Sequence, residues 1–80
     1  PSDNRLTLSD LLTLLNRKGF HLLAFETAEV KKYFDTYGPF DKNMATNVLE
    51  TLIKLKGTKQ HISFYLQKLV DTKQNMKGEF

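Results

Sequence analysis

Cysteine and tryptophan are absent from this chain of 80 residues, and glycine (four) and proline (two) are scarce. Without cysteine there is no disulfide to staple a small core, no thiolate zinc site and no thiol nucleophile. The same lack agrees with a reducing compartment, and an intracellular location is the expectation. Few glycines and prolines, with 40% hydrophobic and 26% charged residues, describe a helix-friendly globular chain rather than a disordered one. No apolar run approaches the ~18–20 residues that a membrane span needs, and no signal peptide is visible. No membrane partner is therefore expected. Arginine occurs only as Arg5 and Arg17, which counts against sequence-specific reading of DNA bases, where arginine is the usual reader.

What is present fits one domain over residues 1–80. A chain this short buries only ~60–65% of the surface its unfolded form exposes, so its stability margin is thin. It starts at Pro1 rather than methionine, which suggests a piece excised from a longer protein. Gly78-Glu79-Phe80 reads equally as native sequence or as a cloning remnant.

Punctuation and periodicity predict an all-α bundle of four short helices, at about 7–18, 27–37, 41–56 and 58–73. The first is capped by Thr7, with Asp10 closing a capping box and Leu6 and Leu11 placed as a hydrophobic staple. Leu8, Leu11, Leu12 and Leu15 form one buried face, and Gly19 ends the helix. The two LxxLL matches here, Leu8–Leu12 and Leu11–Leu15, have a spacing that docks helices into partner grooves, but core periodicity already accounts for these leucines. Leu14 lies to one side of that stripe. Residues 20–25 are too apolar for a solvated loop and read as a connector laid across the core. The second helix is capped by Thr27, turns Val30, Phe34 and Tyr37 inward with Tyr33 beside them, and stops at Gly38-Pro39. The third starts at Asp41 and is apolar on more than one stripe, up to Leu55, which predicts a central position. On its outer side Glu50 and Lys54 are spaced to pair. The fourth begins near Thr58, and Ile62, Tyr65, Leu66, Leu69 and Val70 fit a helical stripe. Loose alternation over His61–Leu66 allows a strand instead, but the helical template matches better. Residues 74–80 read as a frayed tail.

A search for chemistry returns little. His21 and His61 lack any ligand spacing, so no metal site is expected. Lys56-Gly57-Thr58-Lys59 lacks the glycine pair of a phosphate loop, although the free amides starting the fourth helix, beside Lys59, are suited to an anion. Ser2, Ser9 and Ser63 have no activating context. We expect no enzyme activity, no catalytic residue and no cofactor.

The charge is uneven. Residues 54–80 carry six lysines against Asp71 and Glu79, whereas residues 1–53 carry six bases against seven acids. Within the basic third, Phe64 falls off the apolar stripe of its own helix. It either packs beneath the 20–25 connector or stands exposed among polar groups, the composition of a recognition hot spot and equally of a stacking platform for a base, with lysines holding phosphates. Two functions follow. The first is a non-catalytic protein-interaction module docking a partner protein or peptide of acidic character. Its apolar and basic surface would include the fourth helix, through Phe64, His61, Gln60, Lys68 and Leu14. The second is a nucleic-acid-binding domain of helix-turn-helix or winged-helix type. Lys42, Asn43, Thr46 and Asn47 would open its recognition helix, and Lys54, Lys56, Lys59 and the later lysines would contact phosphate. In the winged version residues 61–66 form the wing strand. Exposed apolar surface also makes a homodimer a candidate partner arrangement.

Overall fold

The computed structural model of the chain describes residues 4–77. Within them the chain is all-α, with four helices: α1 (Leu8–Arg17), α2 (Ala24–Tyr37), α3 (Lys42–Lys56) and α4 (Ile62–Lys77). Helix α4 packs against both α2 and α3, and α1 packs against α2. The core where they meet is built from Leu11 and Leu15 of α1, Val30 of α2, Met44, Ala45, Leu49 and Leu52 of α3, and Ile62, Tyr65, Leu66 and Leu69 of α4, with Leu6, Phe20 and Phe40 from the connections.

Helix α1 forms as its punctuation requires. The Thr7 hydroxyl accepts from the Asp10 backbone N–H at 3.0 Å, and the Asp10 carboxylate accepts from the Thr7 N–H at 3.4 Å. Leu6 and Leu11 are both buried, as a staple demands. Beyond the helix, Gly19 takes a positive φ of 99°, a conformation that glycine adopts without steric cost.

The segment before α1 is tied to the α2–α3 corner. The Leu6 N–H donates to the Phe40 carbonyl (2.9 Å) and the Lys42 N–H to the Asn4 carbonyl (2.8 Å), an antiparallel bridge with Arg5 opposite Asp41. Asp41 serves both sides of this join. Its Oδ1 accepts from Asn4 Nδ2 and its Oδ2 from the Met44 N–H, each at 2.9 Å. A second clamp holds the end of α2, where Lys73 Nζ donates to the carbonyls of Tyr37 (2.6 Å) and Pro39 (2.5 Å). The same ammonium lies 5.4 Å from the centroid of the buried Phe40 ring.

Several boundaries and partners differ from the sequence expectation. Helix α2 begins at Ala24, not after Thr27, because Glu26 reaches back to accept from the Leu23 N–H at 2.8 Å. That bond satisfies an amide the helix start would otherwise leave unpaired. The end of the 20–25 connector is therefore helical. Helix α4 begins at Ile62 rather than near Thr58: the Ser63 N–H donates to His61 Nδ1 at 3.0 Å, so His61 does the capping. Residues 61–66 are helix from Ile62 onward, which removes the wing strand. Helix α4 continues through Lys77, past the end expected at 73, and the question about Gly78–Phe80 lies outside the described residues. Glu50 pairs with Lys18, at the end of α1, at 3.1 Å instead of with Lys54. Tyr37 and Leu55, expected inside, are exposed.

Candidate functional site

The residue that the sequence singled out most sharply, Phe64, is 54% exposed and does not pack beneath the 20–25 connector. The stripe of α4 explains this: Ile62, Tyr65, Leu66, Leu69 and Val70 all turn inward and are buried, which leaves position 64 on the far side at 100° per residue. Lys56, the last residue of α3, holds its Nζ 5.5 Å from the Phe64 ring centroid. That is within the ~6 Å over which a ring face attracts a cation. Next to Lys56 in the chain, Leu55 is 74% exposed. The α3–α4 corner thus joins an uncovered aromatic ring, a cation resting on it and an uncovered leucine.

The loop that makes this corner is shaped by Gly57 and Gln60. Gly57 has φ 76° and ψ −170°, a region essentially reserved for glycine. Gln60 turns inward, and its Nε2 donates to the Gly57 carbonyl at 2.8 Å and to the Leu52 carbonyl at 3.5 Å, satisfying acceptors at the end of α3. Gln60 is therefore committed to the loop rather than offered to a partner. His61 is exposed but partly committed, since Nδ1 accepts from the Ser63 N–H and lies 2.8 Å from the Ser63 hydroxyl, leaving Nε2 at the surface. Lys68 is exposed one turn beyond Phe64, Lys54 is exposed in the last turn of α3, and Lys59 is exposed in the loop between the two helices. Asp71, the acid next along this face, is bonded to Gln67 at 3.1 Å.

Leu14 belongs elsewhere. It is half-buried and lines a cleft of about 180 Å³ between α1 and α3, with Asp10, Arg17, Lys42 and Thr46. Lys42 and Thr46 thus share a feature with Leu14 rather than with the later lysines. Helix α3 spans 15 residues, so the Lys42 end and the Lys56 end stand ~20 Å apart. At the Lys42 end the Thr46 hydroxyl is used internally, donating to the Lys42 carbonyl at 2.9 Å. The Asp41 carboxylate there is fixed by two hydrogen bonds, while Asn43 and Asn47 are exposed. Among the described residues no three histidine or carboxylate groups converge on a point able to hold a metal ion, and no helix is long and apolar enough to cross a membrane.

Two exposed features stand apart from the residues proposed for the site. One is Leu55. The other is the start and edge of α2, where Leu23 is 58%, Phe25 65% and Tyr37 42% exposed, against the reading of residues 20–25 as laid across the core. The signal for the second was present: α2 has apolar residues on two faces, Val30 and Phe34 on one and Phe25, Tyr33 and Tyr37 on another. Compared with protein families, with curated proteins and with solved structures, the chain matches none.

Proposed function

We propose that this domain is a non-catalytic interaction module that docks an acidic segment of another protein at the α3–α4 corner. The observation carrying this reading is the Phe64 ring, 54% exposed with Lys56 Nζ 5.5 Å from its centroid. Single exposed apolar residues are ordinary. An uncovered ring with a cation over its face, in a domain short of core material, has instead the make-up of a hot-spot anchor. The charges around the corner select the occupant. Lys54, Lys56, Lys59 and Lys68 are exposed around this corner, and Asp71 is already bonded to Gln67. A segment with one apolar anchor flanked by carboxylates would complement both the ring and the cations.

Nucleic acid is the less supported occupant. Its required lysines fall at opposite ends of α3, the Asp41 carboxylate stands at the start of the would-be recognition helix, and the wing is absent. The discriminating experiment titrates the isotope-labelled chain with an acidic peptide carrying a single leucine or phenylalanine anchor, and separately with duplex DNA and single-stranded RNA. Each titration is run at about 50 and 200 mM salt, the range that exposes phosphate contacts. Amide shifts confined to residues 54–68 with the peptide, lost in Phe64→Ala and weakened in Lys56→Glu, are expected. Peptide shifts unaffected by Phe64→Ala would remove the corner from the site. Nucleic-acid binding that collapses at the higher salt, without peptide binding, would reverse the choice.

A further inference from the structure

Helix α2 presents a second apolar face that the described fold covers only in part: Tyr33 packs at the core edge, whereas Phe25 and Tyr37 are exposed. Val30 and Phe34 pack toward the core. On another side Phe25, Ala28, Glu29, Lys32, Tyr33 and Tyr37 line a shallow trough of about 590 Å³. The Tyr33 and Tyr37 rings lean together with centroids 5.6 Å apart. Every described residue lining the trough belongs to α2, so an occupant would have to supply the other wall. Two charges lie in it, Glu29 and Lys32. The neighbouring pair Lys31–Asp35 is satisfied within the helix at 2.6 Å, whereas neither Glu29 nor Lys32 has an ion-pair partner among the described residues.

We propose that this face pairs with the same face of a second copy of the chain, with the two α2 helices antiparallel about a two-fold axis. The order of side chains carries the argument. In the antiparallel register that sets Glu29 level with Lys32 of the other copy, Phe25 is level with Thr36 and Tyr33 with Ala28. Each level opposes acid to base or large to small, and two-fold symmetry makes every one of these pairings occur twice. A shift of one residue, which sets Phe25 level with Tyr37, takes Glu29 and Lys32 out of level. A wholly acidic or wholly basic partner would leave one of the two charges facing its own sign. A second copy matches both. The helix is 14 residues long, ~21 Å, so the contact is small and the dimer weak, with Kd roughly 10–1,000 μM. This surface is separate from the Phe64 corner, and substitutions in it leave Phe64, Lys56 and Leu55 in place.

The test is sedimentation equilibrium of the whole chain from about 10 μM to 1 mM, bracketing that affinity. A reversible monomer–dimer equilibrium is expected. Glu29→Lys sets lysine against Lys32 and weakens the dimer about tenfold or more, as does Lys32→Glu by opposing two acids. The double variant Glu29→Lys/Lys32→Glu restores it, and a mixture of the two single variants forms heterodimers that neither makes alone. Both side chains lie outside the core, and circular dichroism establishes that each variant is folded. If Glu29→Lys does not fold, Lys32→Glu alone carries the same reading. A chain that stays monomeric to about 1 mM, a dimer indifferent to either charge reversal, or a double variant that fails to recover overturns the proposal.

Discussion

Replacing Tyr65 by phenylalanine should make the domain less stable near neutral pH, and the deficit should shrink as the pH rises. Tyr65 is fully buried, and its hydroxyl donates to the Ala45 carbonyl at 2.9 Å, joining α4 to α3. Phenylalanine keeps the ring and deletes only this bond. The Ala45 carbonyl lies inside α3, where the amide four residues on already donates to it, so no orphan acceptor is left. The cost is then that of one neutral hydrogen bond, ~1 kcal/mol. Burial also pushes the Tyr65 phenol well above its ordinary range, because the phenolate would have to exist without water.

The sign of the pH effect follows from which state holds the proton. Above about pH 10 the unfolded chain loses the Tyr65 proton while the folded chain keeps it, so the unfolded state binds fewer protons and stability falls as pH rises. The contribution is complete below pH ~10 and declines by up to ~1.4 kcal/mol per pH unit above it. At about pH 11 the wild type has lost ~1.4 kcal/mol by this route, as much as the hydroxyl contributed. The Tyr65→Phe variant has no such loss, so the two stability profiles should meet near that pH and then cross. Tyr33 and Tyr37 are present in both proteins and cancel in the difference. Urea unfolding followed by far-ultraviolet circular dichroism, at steps between about pH 7 and 11.5, measures the difference directly. A gap between the two proteins that stays constant across that interval would refute the reasoning.

Two glycines should fail for opposite reasons. A Cβ on Gly38 would collide with the backbone carbonyl of Phe34, whereas one on Gly57 meets nothing but is held at φ 76°. Both alanine variants should lose ~1–3 kcal/mol in urea unfolding. Asparagine should rescue neither position, because ψ −170° at Gly57 lies outside the left-handed helical region that asparagine tolerates. Lys73→Met retains the alkyl stem beside Phe40 but removes the ammonium that serves the Tyr37 and Pro39 carbonyls. It should cost ~1.5–3 kcal/mol and lower the midpoint of thermal unfolding, and an unchanged midpoint would show that the clamp contributes nothing. His61→Ala should cost ~0.5–1 kcal/mol by uncapping α4, while His61→Asp, a stronger capping residue, should match or exceed the wild type in the same melt.

The sequence was most readable where a signal is local and complete within one helix. Thr7, Asp10, Leu6, Leu11 and Gly19 together define α1, and each has the partner or conformation its residue type implies. The inward face of α4 was equally readable, because five apolar residues at helical spacing leave one solution. Boundaries failed where two residues competed for a cap. Thr27 has the better capping side chain, but the Glu26 carboxylate reaches the Leu23 N–H, and starting earlier gives α2 an additional turn. Thr58 follows a helix-ending glycine and looks like a new start, yet residues 58–60 turn the chain while Gln60 closes the end of α3 and His61 caps α4.

The exposed apolar residues escaped for a different reason, and it bears on function. Periodicity states which side of a helix is apolar, but not how far the neighbouring helix extends to cover it. Leu55 continues an apolar pattern of α3 at its last turn, and Tyr37 continues that of α2 at its end; both are uncovered. Phe25 opens α2 on the side away from Val30; Phe64, which leaves its stripe altogether, is the one that periodicity marked. Covering these side chains inside the fold would need a longer neighbouring helix or a further element, and the described chain supplies neither. Their apolar surface stays in contact with water until something outside the domain removes it, at ~25 cal/mol per Å² of area covered. That gain is the reason to look for partners at these positions before any other. It also separates them from the lysines, which are well solvated alone and serve chiefly to choose which partner arrives.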